Sequence, residues 1–103
     1  MVLDVAATGG AVLKVLAEPM RWRIVELLAA EELCVCHLVE ELDAAQPLVS
    51  HHLKALRAAG LVSSERHRQW VYYRLDLEAL RAVAAALTGL TSTAPGAPRR
   101  PCC

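Results

Sequence analysis

Three residues, Asp43-Ala44-Ala45, separate two segments of helical patterning, and this short joint constrains the fold more than any other feature of the chain. Before it, a segment from about Cys34 to Leu42 puts Leu38 and Leu42 on one face. After it, a segment opened by Gln46-Pro47 turns Val49, Leu53 and Leu56 to one side, with Pro47, His51 and Lys54 pointing away and Ser50 beside them. Helices joined so closely cannot drift apart; they must cross and share a core. Gly60, suited to a left-handed cap, stops the second of them.

The flanking chain completes a pattern. Ala11 to Ala17 has helical composition, and Pro19 suits the first turn of a further helix reaching about Ala29. After Gly60 come two short strands, Leu61 to about Arg66 and Trp70 to Leu75, the latter rich in aromatic and β-branched residues. A last helix, Asp76 to about Leu87, aligns Leu80, Val83, Ala84 and Leu87. The expected fold is mainly α with a β-hairpin wing, a winged helix-turn-helix over residues 11–87. A disordered start (1–10) and a flexible tail (88–103) ending Arg99-Arg100-Pro101-Cys102-Cys103 are expected to flank it.

With 103 residues the chain fits one small domain, and a core of that size benefits from dimerisation. No apolar run approaches the roughly 18 residues of a membrane span, and no export signal is visible, so a cytoplasmic protein is expected. In a reducing compartment four cysteines suit metal ligation or redox chemistry better than a disulfide framework. A phosphate-cradling glycine loop and a βαβ pattern are both missing, which argues against an enzyme.

Net charge is zero, yet its distribution is uneven. Residues 1–45 carry eight acidic residues against Lys14, Arg21 and Arg23, a balance of −5. Residues 46–74 carry Lys54, Arg57, Arg66, Arg68 and Arg74 against Glu65 alone, a balance of +4. Such a local patch can displace counterions from a duplex whatever the global charge. Gln46, Pro47, Ser50, His51, His52 and Lys54 are the candidate readers at the start of the second helix of the motif, and Arg66 and Arg68 suit backbone contacts from the hairpin tip. His52 sits on the shoulder of the buried face, where a structural role competes with a reading one.

Cys34-Val35-Cys36 stands at the front of this motif. Paired thiolates favour soft ions, and a helix N-terminus with positive charge nearby would lower their pKa. Inside a regular helix residues two apart point about 200° from one another, so both sulfurs can hold one ion only if the first turn unwinds.

Glu32-Leu33-Cys34-Val35-Cys36, the run Ser50-His51-His52-Leu53-Lys54-Ala55-Leu56-Arg57-Ala58-Ala59-Gly60-Leu61-Val62, and Val71-Tyr72-Tyr73-Arg74-Leu75 together resemble the ArsR/SmtB family of metal-responsive repressors, over about residues 11–87. The first stretch looks like its arsenic-responsive branch. The resemblance implies a homodimer built from the first and last helices, bound to double-stranded operator DNA of imperfect dyad symmetry and released by an inducer. Trivalent arsenic or antimony is the implied inducer, with cadmium, zinc or lead as alternatives; a thiol-redox regulator is a further alternative. The branch commonly has an acidic residue after the second cysteine and a third cysteine two positions further on, where this chain has His37 and Val39. Cys102 or Cys103 could complete a site with Cys34 and Cys36, from either protomer, and His37 is an alternative ligand favouring zinc or cadmium. A last-helix zinc site of Asp and His is not expected, since no histidine follows Asp76 and Glu78.

Overall fold

A computed structural model describes residues 10–92, 96 and 99–102. Eight elements follow in order: α1 (Ala11–Leu16), α2 (Pro19–Ala30), β1 (Leu33–Cys34), α3 (Val35–Leu42), α4 (Gln46–Ala58), β2 (Val62–His67), β3 (Trp70–Leu75) and α5 (Leu77–Ser92). The expected disordered start falls outside the described residues, Gly10 excepted.

Local chemistry explains where the helices begin and end. Glu18 caps α2 by accepting the Arg21 backbone N–H at 3.0 Å, and Pro19, which has no N–H to satisfy, takes the first helical position. Asp43 closes α3 in the left-handed region at φ 50°, a conformation aspartate tolerates better than most residues. That reversal lets α4 start at Gln46 after the three expected joint residues. Gly60 follows α4 with φ 77°, and the Leu61 N–H returns to the Leu56 carbonyl at 3.0 Å. An added Cβ on Gly60 would meet open space, so the backbone angle alone demands glycine there.

Ile24 from α2, Leu38 from α3, Val49, Leu53 and Leu56 from α4, and Leu61 after it form the fully buried centre. The joint therefore does what its length requires: α3 and α4 cross over a shared apolar core. The sheet has the order β1-β3-β2 and is antiparallel throughout. The β2–β3 hairpin pairs Val62 with Leu75 through to His67 with Trp70, leaving Arg68 and Gln69 at the tip.

Three boundaries differ from expectation. The first β-strand of the chain, β1, was not anticipated, because two residues show no periodicity; it pairs Leu33 with Tyr73 and Cys34 with Tyr72. Cys34 consequently lies outside the helix that its pattern suggested. α5 continues past Leu87 to Ser92, into the stretch read as tail, since Ala84–Leu87 and Leu90 keep good helix formers in phase.

Candidate metal centre and nucleic-acid interface

Cys34 has extended backbone (φ −89°, ψ 168°) and caps α3, which starts at Val35. The change from strand to helix between the cysteines turns both sulfurs to one side, with Cys34 Sγ and Cys36 Sγ 2.8 Å apart. The conflict expected of two cysteines in a straight helix therefore does not arise. No unwinding is needed to bring the pair together.

His37 completes the cluster. Its Nδ1 receives the Cys34 backbone N–H at 3.3 Å and lies 3.1 Å from Cys34 Sγ, so residues 34 and 37 form a capping box of unusual composition. The ligand atoms of Cys34, Cys36 and His37 all lie within 4.8 Å of one another. Cys34 is buried, whereas Cys36 and His37 are exposed, giving the pair one anchored and one accessible sulfur. Cys102 is exposed and stands outside this three-residue group, and Cys103 lies outside the described residues.

The electrostatics correct a second expectation. The hydrogen bond with Cys34, reinforced by desolvation, holds the Cys36 thiol above cysteine's usual range instead of lowering it. Carboxylates, not cations, line the cleft that opens beside His37: Glu31, Glu32, Glu40 and Glu41 border a space of about 460 Å³ with His37 and Tyr72. Two thiols and an imidazole form a soft to borderline donor set, which fits a thiophilic ion once the thiols are deprotonated.

The basic face is formed by α4 and the hairpin. Gln46, Pro47, Ser50, His51 and Lys54 are all exposed on α4, while Val49, Leu53 and Leu56 hold its opposite side in the core. Arg66 and Arg68 are exposed at the hairpin tip, where Arg66 Nε donates to the Arg68 carbonyl at 3.1 Å. Arg68 sits in the left-handed region at φ 61°, which costs an L-residue about 1 kcal/mol and makes the two-residue reversal possible.

His52 differs from the other candidate readers: it is 6% exposed. Arg21 Nε donates to its Nδ1 at 3.1 Å, which requires that nitrogen to be unprotonated, and Glu18 Oε1 lies 3.9 Å from the same atom. Burial lowers the His52 pKa; Glu18 opposes the shift, and Arg21 and His51 add to it. The ring thus ties α4 to the capped start of α2 rather than facing solvent. Position 52 on the shoulder of the apolar stripe left this role and a reading role both open, whereas nothing in the spacing pointed to Tyr72 beside Cys34.

Residues 18–64 match the family described as bacterial regulatory protein, arsR family. The arsenic resistance transcriptional regulator ArsR1 of Pseudomonas putida is 48% identical over 80 residues, covering 77% of this chain and 62% of that protein. The chain thus spans less than two thirds of that relative's length. The crystal structure of a possible transcriptional regulator for arsenical resistance superimposes with TM-score 0.70 at 36% identity, covering 86% of this chain and 85% of the other. A homodimeric winged helix-turn-helix DNA-binding domain from Mycobacterium bovis gives TM-score 0.65 at 30% identity, over 78% and 75% of the two chains. These relatives are regulators, not enzymes. The chain belongs to the arsR family of bacterial regulatory proteins.

Proposed function

We propose that this chain is a homodimeric, cytoplasmic transcriptional repressor that binds operator DNA through α4 and the β2–β3 wing, and releases it when trivalent arsenic or antimony binds Cys34 and Cys36. The observation that carries this reading is the sulfur pair, 2.8 Å apart at the start of α3, the helix that a three-residue joint connects to α4. Similarity to the P. putida arsenic resistance regulator supports the choice of inducer, and the homodimeric M. bovis neighbour supports the assembly. Leu13 on α1, and Leu77, Leu87 and Leu90 on α5, are exposed in the single chain, leaving an apolar surface for a second copy to cover.

Gln46, Pro47, Ser50 and His51 meet base edges, Lys54, Arg66 and Arg68 meet phosphates, and His52 positions α4 from within. Release is coupled through two routes. Cys34 is paired in register with Tyr72 of the wing and also caps α3, so an ion pulling on the sulfurs loads both the hairpin and the helix that precedes α4. Cys102 or Cys103 supplies a third thiolate for trivalent arsenic. To act as a switch, the ion must bind the DNA-free form more tightly, by about 1–3 kcal/mol.

The test uses a duplex selected from random sequence by the inducer-free protein. Arsenite added in excess reductant should release it, and no release would overturn the sensing role. The 2.8 Å sulfur separation also favours a second reading, a thiol-redox regulator closing a Cys34–Cys36 disulfide. Release that depends on oxidant and is blocked by reductant would establish that reading instead.

A further inference from the structure

The end of the wing carries an aromatic ring that the core does not use. Trp70 pairs in register with His67 at the last rung before the two-residue tip, and it is 48% exposed. Alternation along β3 turns Tyr73 and Leu75 against the core and places Trp70 on the opposite face with Tyr72 and Arg74. Among the described residues, none accepts the indole N–H and none stacks on the ring. An open tryptophan of this kind joins an apolar body to one polar edge, the combination favoured at binding surfaces.

Its surroundings select the partner. Arg66 and Arg68 flank the tip, and Glu65, the one carboxylate of the hairpin, is paired with Arg74 at 3.5 Å, so the charge offered there is positive. β2 leaves the end of α4 after Ala59, Gly60 and Leu61, and its six residues carry the tip about 20 Å along the strand. In B-form DNA the neighbouring minor groove lies half a turn, about 17 Å, from a helix seated in the major groove. That groove, about 6 Å wide, excludes a two-stranded ribbon but admits the edge of a ring at its tip. A·T pairs show only acceptors there, whereas a G·C pair adds the guanine amino group, a donor. The indole nitrogen is a donor only, so A·T satisfies it and G·C opposes it.

We infer that Trp70 is a specificity-determining residue: its indole N–H reads an A·T pair in the minor groove beside the sequence that α4 contacts, while Arg66 and Arg68 hold the flanking phosphates. This rests on the reading of α4 and the wing as the operator-binding face, and adds a base-reading contact that the charge pattern does not contain. A second copy of the chain is a poorer match for the same ring, since it would bring Arg66 and Arg68 of two tips together.

The test uses the full chain without inducer and a duplex that it selects from random sequence. Dimethyl sulfate methylates adenine N3 in the minor groove, and the protein should block it at an A·T pair flanking the α4 contacts. Trp70→Phe, which keeps a ring but loses the N–H, should unblock it with unchanged circular dichroism. Exchanging that pair for G·C should weaken wild-type binding about 5-fold or more. Inosine·C, which keeps the major-groove face of G·C but lacks the 2-amino group, should restore affinity to within about 2-fold. Trp70→Phe should bind all three duplexes alike. Equal wild-type affinity for G·C and inosine·C, or discrimination that survives in Trp70→Phe, would overturn the inference and leave the operator reading of α4 intact. The inosine comparison needs no variant, so it decides even if Trp70→Phe does not fold. Failure of the wild-type chain to bind any duplex would overturn both readings. Dimerisation weakened by Trp70→Phe, with base discrimination unaltered, would place the ring in a protein interface and overturn the inference as well.

Discussion

The helix α4 and the sulfur junction are separated by the body of α3 and a three-residue joint, and they are held by different forces. On α4, Val49, Leu53 and Leu56 are essentially inaccessible to water and the helix is fixed by packing. At the β1–α3 junction, one two-residue strand, one cap and a sulfur contact hold the backbone, and two of the three ligand side chains are exposed. Packing is costly to disturb, since each buried apolar side chain contributes on the order of 2–3 kcal/mol. A single cap contributes about 1 kcal/mol. The difference teaches that the junction can be rearranged while α4 stays folded, and on the function proposed above release is then a displacement of an intact helix.

Substitutions that strike the packed region should have the largest effect. Leu53→Ala or Leu56→Ala should destabilise the fold by about 2–5 kcal/mol in chemical denaturation, with operator binding lost only in proportion to unfolding. A loss under 1 kcal/mol would break the contrast, since it would mean that α4 is not held by its core. Cys34→Ser and Cys36→Ser should change stability far less, retain operator binding, and weaken arsenite-dependent release by roughly 10-fold or more in an anisotropy titration. Loss of DNA binding in both, with the fold unchanged, would merge the two regions.

His52 belongs to the packed region, on the buried side of α4 against the start of α2, and predicts a pH effect. Its folded pKa is lowered by burial, so the unfolded chain binds the extra proton first as pH falls through about 6.5. Stability contributed by the neutral ring is present above that range and is lost as pH drops below it. The group also faces Glu18, Arg21 and His51; protonation gives up the Arg21 hydrogen bond, and the attraction of Glu18, larger than the repulsion of Arg21, is outweighed by burial. Thermal melts should show a step below pH 6.5 that His52→Gln removes; an identical step in the variant would place its origin elsewhere. The smallest effect belongs to Lys54→Ala, which should weaken binding to all duplexes alike and lower the salt slope by about 1. A change confined to one sequence would move Lys54 from phosphate to base contact.

The same contrast explains how much was legible in the sequence. α2, α3, α4 and the hairpin declare themselves through apolar periodicity, Pro19, Pro47 and Gly60, because long amphipathic elements repeat a signal. The exposed face of α4 was readable for that reason, down to Pro47, His51 and Lys54. β1 was not, since two residues make no pattern and their partner strand lies nearly forty positions on. With β1 unseen, Cys34 was placed in the helix, and the pairing of the sulfurs seemed to require unwinding. The raised Cys36 pKa was likewise hidden, for it depends first on a contact with the Cys34 sulfur that only the fold creates. The spacing of Cys34 and His37 did match a capping box, but cysteine and histidine stand where serine or threonine and glutamate usually signal one.

Hydrogen exchange of the DNA-free protein, with and without saturating arsenite, tests the central claim most directly. Amides from Cys34 to Leu38 should exchange faster, or show a changed pattern, on ion binding, while those of Val49, Leu53 and Leu56 keep their protection. Loss of protection throughout α4, with Cys34 to Leu38 unaltered, would contradict it.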